Sequence, residues 1–329
     1  MILSIIIPVF NRPQEVKELL ISLEPQLSSF VEIIIVEDGS TIPCKYECES
    51  LINKGVLKYI FQENTGPGPA RNCGAKEARG EYLLFLDSDC IIPQNFVETL
   101  TIKLQSESLD CWGGPDAAHE SFTSIQKAIN YSMTSILTTG GIRGSKSAVD
   151  KFYPRSFNMG VRTEVFNKVN GFSELRFGED LDLSMRILEA GYKTELLENQ
   201  FVYHKRRNTF KSFFKQVFNS GKARIHLNKR HPGSLKIVHT FPSLFLLGNI
   251  VGIMISFIFP FFIYLTLIPA TLFLFHSLAK TNSLRVSGLS VIASYCQLFG
   301  YGLGFINAFI YSTLLKKDEH YSFTKSFYK

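Results

Sequence analysis

The second part of the chain has almost no negative charge. No aspartate or glutamate occurs between Glu198 and Asp318, although Lys and Arg continue through this stretch. Up to Glu198 there are 19 Lys and Arg against 27 Asp and Glu, and after it there are 16 against two. A basic segment that follows an acidic one indicates a negatively charged partner, either nucleic acid or an anionic membrane face.

Zinc spacing and a signal peptide are also absent. The six cysteines include no C-x-x-C pair, so we expect reduced thiols in a cytosolic domain. The apolar stretch Met1–Pro8 has no positive flank and is too short for a secretory signal. Both observations predict that the first domain stays in the cytosol.

Two long apolar runs decide between the two kinds of partner. The first extends from Phe241 to about Phe275, and the second from about Gly288 to Leu315. A membrane-spanning helix needs roughly 20 apolar residues, so both runs are long enough and the first is too long for one straight span. We therefore expect membrane lipid as a partner and no nucleic acid.

The flanking charges set the expected topology. Lys and Arg precede Phe241 and return in residues 316–329, which predicts that both flanks are cytosolic and that the number of crossings is even. Pro260 divides the first run, leaving two arrangements. Either the first run is one bent span and the last run crosses, or the first run is a tight hairpin and the last run does not fully cross. The sequence favours two full spans, with three as the alternative.

The first ninety residues alternate short buried strands with helices. The predicted strands cover residues 4–9, 32–36, 57–61 and 82–86, and helices are expected from Asn11 and over Pro69–Ala78. Strands that alternate with helices predict an α/β fold with a doubly wound, mostly parallel sheet.

Polar side chains stand at the ends of three of these strands. Asn11 follows the first strand, Glu37 and Asp38 follow the second, and Asp87 and Asp89 follow the fourth. The carboxyl ends of parallel strands share one edge of the sheet, where open α/β sheets bind ligands. Together with the Gly-Pro-Gly-Pro-Ala-Arg segment that ends at Arg71, these acids suit a nucleotide diphosphate and a divalent metal.

A dinucleotide-binding enzyme is the obvious rival. Its fingerprint requires glycines in the first strand-to-helix turn, and residues 8–13 contain none. The sequence therefore argues against a dinucleotide-binding Rossmann enzyme.

A second acidic group opens a predicted helix at about residues 180–190. Glu179, Asp180 and Asp182 lie in or beside its first turn, where the helix dipole favours negative charge. From position alone, these acids are either catalytic groups or first-turn charges that stabilise the helix.

Residues 3 to about 225 resemble the inverting family 2 of nucleotide-sugar glycosyltransferases, whose catalytic domain has the A-type glycosyltransferase fold. The resemblance rests on six motifs in the same order, namely Ser4–Asn11, Val36–Thr41, Asn64–Asn72, Gly80–Asp89, Phe157–Asn158 and Gly178–Leu183. It implies a hexosyltransferase that belongs to polysaccharide biosynthesis at the cell envelope.

The resemblance also implies roles for residues in the donor site. The nucleotide-sugar ligands would be Pro8, Phe10, Asn11, Glu37, Asp38, Arg71 and Asp87. Among these, Asp38 would bind the base with Glu37 beside it, and Arg71 would lie near the diphosphate. The expected donor is a nucleotide-diphosphate sugar, with a UDP-sugar favoured.

Metal and catalytic roles follow from the same resemblance. Asp87 and Asp89 match the D-x-D motif that holds Mg²⁺ or Mn²⁺, and His204 is a candidate third ligand. Asp180, with Glu179 beside it, matches the general base that takes the proton of the acceptor hydroxyl.

The chain departs from the family pattern at two places. Glu37 stands where the family usually has aspartate. The Gln-x-x-Arg-Trp signature of processive synthases is replaced by the segment 208–214, so we expect transfer of one sugar and not processive synthesis.

The full prediction divides the chain into four parts. Residues 1–200 form the catalytic domain, 201–239 a basic amphipathic neck at the bilayer face, 240–315 the membrane helices, and 316–329 a basic cytosolic tail. The protein would be a multi-pass protein of the inner (plasma) membrane that transfers one sugar to a glycan or lipid-linked glycan precursor. The alternatives are a polyprenyl-phosphate glycosyltransferase and a noncatalytic nucleotide-sugar-binding scaffold.

Overall fold

A computed structural model describes residues 1–140 and 152–315. The predicted tail, residues 316–329, lies outside the described residues. The described chain forms two compact units. The N-terminal unit comprises residues 1–117 and 152–204, and the C-terminal unit comprises residues 118–140 and 205–315. The continuous division expected from the sequence did not anticipate that residues 118–140 group with the C-terminal unit.

The N-terminal unit contains all the described strands. They are β1 Leu3–Val9, β2 Val31–Asp38, β3 Leu57–Gln62, β4 Tyr82–Leu86, β5 Cys90–Ile91, β6 Cys111–Gly113, β7 Asp116–Ala117, β8 Asn158–Arg162, β9 Thr194–Leu196 and β10 Val202–His204.

The helices are numbered along the whole chain. They are α1 Pro13–Leu23, α2 Lys45–Asn53, α3 Pro67–Lys76, α4 Phe96–Ser106, α5 Ser124–Thr134, α6 Ile136–Thr139, α7 Thr163–Lys168, α8 Glu179–Glu189, α9 Phe210–Arg230, α10 Phe241–Ser256, α11 Ile263–Thr281 and α12 Leu284–Phe309. Helix α3 begins two residues before the predicted start because Pro67 and Pro69 fit a first helical turn, where no backbone N–H is needed.

The main sheet has seven strands in the order β3-β2-β1-β4-β8-β6-β9. Strands β1 to β4 run parallel, as predicted, and β8 runs antiparallel to both β4 and β6. The mostly parallel α/β architecture is therefore confirmed. A second, three-stranded sheet has the order β5-β10-β7, and it contains the strand that ends at His204.

Side chains of the central strands alternate between the two faces of the sheet and so contribute to two separate hydrophobic cores. Ile5 and Ile7 of β1 belong to one cluster, with α1 and α4, and Ile6 belongs to the other, with α7 and α8. Successive side chains of a strand point to opposite faces, so a fully apolar strand fills both cores. Each buried Ile or Leu side chain contributes about 1.5–3 kcal/mol relative to exposure, which makes these strands a rigid support for the loops at their ends.

The C-terminal unit is helical and contains three helices that are long and apolar enough to cross a membrane. These candidates are Ile237–Ser256, Pro260–Thr281 and Leu284–Ser312. Apolar C-terminal helices were predicted, although the sequence favoured two spans.

Helix α9 corresponds to the predicted neck, and its apolar side differs from expectation. The apolar side of this amphipathic neck was expected at the bilayer face, but its Phe213 and Val217 are buried in one cluster with Val286 and Ala293 of α12. For these two side chains, packing against protein replaces the expected lipid contact.

Candidate active site

The D-x-D acids and His204 come together beside the second sheet. β4 ends at Leu86, and β5 pairs antiparallel with β10, so that Cys90 lies opposite His204. Nε2 of His204 lies 3.1 Å from a carboxylate oxygen of Asp89 and 3.9 Å from one of Asp87. The His204 ring stacks on Phe157, with ring centroids 4.9 Å apart. The structure thus brings together all three residues that were predicted to bind metal.

Arg12 forms an ion pair with Asp89 on the side away from His204. Its guanidinium donates to Oδ2 of Asp89, and His204 contacts Oδ1. Burial alone would raise the pKa of Asp89, but the interactions with His204 and Arg12 hold it well below its ordinary value. Asp89 is therefore ionised at neutral pH.

Arg71 joins the D-x-D motif to the acidic start of α8. Its side chain is almost fully buried, and its two terminal nitrogens donate to Asp87 at 2.7 Å and to Glu179 at 3.2 Å. The guanidinium also lies 5.3 Å from the centroid of the Phe172 ring. One buried cation thus fixes the separation of two carboxylates from distant parts of the chain.

Glu179 and Asp180 open helix α8 in unlike electrostatic settings. Gly178, with φ of 80°, precedes them in the left-handed conformation that favours glycine. Burial and the charge of Asp180 raise the pKa of Glu179 to about 7, against the opposing effect of Arg71. Asp180 is equally buried, but Arg155 donates to it at 2.7 Å and the N–H of Leu181 at 2.8 Å. These contacts outweigh burial and lower the pKa of Asp180.

The predicted base-binding acids have protein partners. Glu37 is fully buried and accepts hydrogen bonds from Ser40, from the N–H of Cys44 and from Tyr59. Asp38 accepts from Gln62 and from the N–H groups of Thr65 and Gly66. Glu37 therefore holds the loop after β2, and Asp38 ties this strand end to the loop before α3.

Asn11 connects two neighbouring loops at the same edge of the sheet. Its side-chain oxygen accepts from the N–H groups of Thr41 and Ile42, and its own N–H donates to Ser40. Pro8, which pairs with Val36 in the parallel ladder, and Phe10 are both half-buried at the end of β1. The strand ends that were expected to line the nucleotide pocket thus lie together.

The ambiguity over the acids of α8 is partly resolved by Asp182. This side chain is fully buried and forms an ion pair with Arg186, which also donates to the carbonyl oxygens of Val169 and Gly171. Asp182 therefore anchors α8 to the preceding loop, whereas Glu179 and Asp180 face the arginines of the site.

Sequence reasoning missed three residues of the site, Arg12, Arg155 and Cys90, and gave Phe157 no role. Arg12 directly follows Asn11, and Arg155 precedes the recognised pair Phe157–Asn158, so both stood beside residues already singled out. No local signal indicated that Phe157 stacks on His204. Cys90 contributes a sulfur to a possible ligand group with Asp89 and His204, whose ligand atoms all lie within 4.8 Å of one another.

The donor set fits a hard divalent cation. Burial and the charges of Asp89 and Asp87 raise the pKa of the Cys90 thiol well above its ordinary value, so the thiolate that soft metals require is disfavoured. Carboxylate oxygens suit Mg²⁺ and Mn²⁺, and an imidazole can complete such a site. The residues that would hold the ion are Asp87, Asp89 and His204.

Comparison with known sequences gives consistent matches to glycosyltransferases. The model of glycosyl transferase family 2 matches residues 4–169. An uncharacterized glycosyltransferase of Haemophilus influenzae is 30% identical over 219 residues, covering 63% of this chain and 70% of its own length. Glycosyltransferase GlyG of Streptococcus pneumoniae is 25% identical over 215 residues, covering 62% and 71%.

Solved structures share the fold at lower identity. The mannosyltransferase PcManGT from Pyrobaculum calidifontis, in complex with GDP-Man and Mn²⁺, matches with a TM-score of 0.58 at 14% identity, covering 96% of this chain and 88% of that one. TarS 1-349 of S. aureus, in complex with UDP-GlcNAc, matches with a TM-score of 0.51 at 19% identity, covering 96% and 93%. With an A-type glycosyltransferase fold, a family model that matches half of its length and a relative at 30% identity, the chain belongs to glycosyl transferase family 2.

Proposed function

We propose that this glycosyltransferase is metal-dependent and inverting, and that it moves one sugar from a nucleotide-diphosphate sugar to a hydroxyl of a glycan or lipid-linked glycan precursor. Family membership makes the chain a transferase, so the noncatalytic scaffold is no longer proposed. The solved relatives of the same fold hold UDP-GlcNAc in one case and GDP-Man with Mn²⁺ in the other, which supports a nucleotide-sugar donor.

One observation carries this proposal. Arg71 is buried between Asp87 of the D-x-D motif and Glu179 at the start of α8, so that two carboxylate groups with different surroundings occupy one site. One group has the donor set of a divalent cation, and the other has two acids with opposite pKa shifts. Such a pair of sites suits a reaction in which a leaving diphosphate is stabilised by positive charge and an attacking hydroxyl loses its proton to a base.

The donor side of the site would stabilise the leaving group. Asp87, Asp89 and His204 would hold Mg²⁺ or Mn²⁺, which supplies positive charge to the diphosphate as its bond to the sugar breaks. Arg71 would keep Asp87 oriented and place a second positive charge near the diphosphate. Pro8, Phe10, Asn11 and Asp38 would contact the nucleotide, and Glu37 would support the loop that carries these contacts.

The acceptor side would remove the proton from the attacking hydroxyl. Asp180 is ionised at neutral pH and is oriented by Arg155, which leaves it able to accept a proton. Glu179, with a pKa of about 7, lies next to Asp180, and the negative charge of ionised Glu179 would favour proton uptake by Asp180. Attack from the face opposite the leaving group, in a single displacement, inverts the anomeric centre.

The apolar C-terminal helices support a location at the inner (plasma) membrane, with the catalytic unit on the cytosolic side, where nucleotide sugars are present. A lipid-linked acceptor fits this location because its sugar-bearing headgroup lies at the membrane face.

The test is transfer by the purified full chain. The protein is incubated with Mn²⁺, a panel of UDP- and GDP-sugars and a lipid-linked acceptor extract, and the anomeric configuration of the product is read by NMR. The proposal expects one preferred donor, loss of turnover in excess chelator and a product of inverted configuration. Full activity in chelator or a retained configuration would each contradict it.

A further inference from the structure

The three apolar helices of the C-terminal unit differ in how they are covered. In the apolar windows of α10 and α11, 17% and 11% of the residues are buried, whereas the value for α12 is 44%. Helix α12 is therefore packed against protein along much of its length. The other two helices expose most of their apolar surface.

Helix α9 covers α12 in a constant parallel register. A β-carbon on Gly300 would lie 2.5 Å from the side chain of Val217, and Nζ of Lys229 donates to the carbonyl oxygen of Ser312 at 3.3 Å. Both pairs are 83 residues apart, so the two helices advance together over twelve residues. Between these points, a β-carbon on Gly304 would lie 1.9 Å from the carbonyl oxygen of Phe218, which shows that the backbones touch.

Helix α9 is too polar to accompany α12 into a bilayer. Helix α9 has 21 residues, and six of them are cations, namely Lys211, Lys215, Lys222, Arg224, Lys229 and Arg230. Charged side chains at the bilayer centre are strongly unfavourable unless they line a cavity or pair there. If α12 crossed the membrane with this packing, it would draw the whole of α9 across as well.

The two ends of α12 are held by different parts of the C-terminal unit. Ala128 and Ile129 of α5 share a cluster with Val286 near the start of α12, and the end of α12 lies beside α9. Only six residues separate β7 from α5, and five separate β10 from α9. Six extended residues reach about 20 Å, which is less than the roughly 30 Å of the hydrocarbon core. The short linkers keep the starts of α5 and α9, and with them the start of α12, on the side of the catalytic unit. The end of α12 lies beside the last turn of α9, and the cations of α9 keep that helix from crossing, so both ends of α12 belong to one side of the membrane.

Helices α10 and α11 form a hairpin that α12 crosses from its base to the first turn of α11, where the hydroxyl of Tyr295 donates to the carbonyl oxygen of Thr266 at 3.0 Å. Ser243 donates to the carbonyl oxygen of Gly302, and Phe273 packs edge-on against Tyr295. At the tip, Phe257 and Ile258 are 85% and 74% exposed. No Asp, Glu, Lys or Arg occurs between Lys236 and Lys280. Such a tip is suited to hydrocarbon and not to water.

We propose that the α10–α11 hairpin is the membrane-inserted element, entering the bilayer from the side of the catalytic unit and returning to that side. Helix α12 lies outside the hydrocarbon core, packed with α5 and α9 at the interface. The cations of α9 face anionic lipid headgroups there. The acyl chains of the bilayer therefore cover the exposed apolar surface of the hairpin. This anchor does not depend on the chemistry proposed for the active site.

Cysteine labelling with a membrane-impermeant maleimide tests this arrangement in the full chain. Four exposed positions are changed one at a time: Tyr46→Cys marks the side of the catalytic unit, Ile258→Cys the tip, and Leu284→Cys and Leu315→Cys the two ends of α12. The six native cysteines are buried or half-buried, and the unmodified protein gives the baseline. Labelling is compared in intact cells, in inside-out vesicles and after detergent solubilisation.

The proposal expects positions 46, 284 and 315 to react in the same compartment, with at least a tenfold excess over the other compartment. Position 258 should be protected on that side and react after solubilisation. Reaction of positions 284 and 315 on opposite sides of the membrane would show that α12 spans, and would overturn the proposal. Protection of either α12 end on the side of position 46, or reaction of position 258 on that side, would overturn it equally.

Discussion

Nε2 of His204 lies 3.1 Å from Oδ1 of Asp89, although 115 residues separate them along the chain. The pairing of β10 with β5 produces this approach, because it sets His204 opposite Cys90, the residue after Asp89. An imidazole nitrogen and a carboxylate oxygen at this separation can share one cation.

We expect His204→Ala and Asp89→Asn each to weaken Mn²⁺ binding by about tenfold or more, because each removes one ligand atom. Binding is measured from the electron paramagnetic resonance signal of free Mn²⁺. Asp110→Asn is the control, since Asp110 pairs with Arg162 at the opposite end of β8 from Asn158. If His204→Ala binds Mn²⁺ as tightly as the unmodified protein, His204 is not a ligand.

Arg12→Gln should strengthen metal binding, in contrast to His204→Ala and Asp89→Asn. Arg12 forms an ion pair with Asp89. A divalent cation that binds this carboxylate must therefore compete with Arg12 for its oxygen and is repelled by the positive charge of Arg12. We expect Mn²⁺ to bind about tenfold more tightly to the variant, which corresponds to about 1.4 kcal/mol. Lys54→Gln, which removes the exposed pair with Glu24, should leave metal affinity unchanged. Weaker binding to Arg12→Gln would argue that Arg12 helps to build the metal site.

Asp180→Asn should reduce kcat by about 10²–10⁴-fold, the usual contribution of a general base. Binding of the nucleotide sugar should persist, because the change leaves the D-x-D group intact. Asp182→Asn, in the same helical turn, should lower the melting temperature through loss of the Arg186 ion pair, with turnover per folded molecule retained. A small effect of Asp180→Asn on kcat would favour the alternative acceptor, a polyprenyl phosphate, which is already anionic and needs no base.

Glu179 should make the protein less stable as pH rises through neutrality. The folded state retains the proton of Glu179 up to about pH 7, whereas the unfolded chain releases it near the ordinary value of 4.5. Because the folded state binds more protons between these values, the free energy of unfolding falls across this window, by at most about 3 kcal/mol. Glu179→Gln should therefore flatten the fall of the melting temperature between pH 5 and 7.5.

The matched control for this measurement is Glu98→Gln, an exposed glutamate in the first turn of α4. It should leave the pH dependence of the melting temperature as it is in the unmodified protein. An equal flattening in both variants would mean that Glu179 has no special part in the pH dependence.

Local sequence patterns predicted the first four strands, the acidic start of α8 and most of the candidate site residues. Apolar runs predicted β1 to β4, and the acids and Asn11 at their ends were predicted to meet because parallel strands end at one edge. The acidic first turn of α8 could be predicted equally well, because its helical spacing and the preceding Gly178 are local features.

Only the tertiary structure decided which charges meet. The ion pairs of Arg12 with Asp89 and of Arg155 with Asp180, and the bridge of Arg71 to Glu179, join residues from separate elements. The parallel contact of α9 with α12 is likewise set by packing between distant segments, and it is the contact from which we propose that α12 lies outside the hydrocarbon core. The physical reason is that periodicity reports which face of an element is apolar, whereas the partner of that face is fixed by how the folded chain brings distant segments into contact.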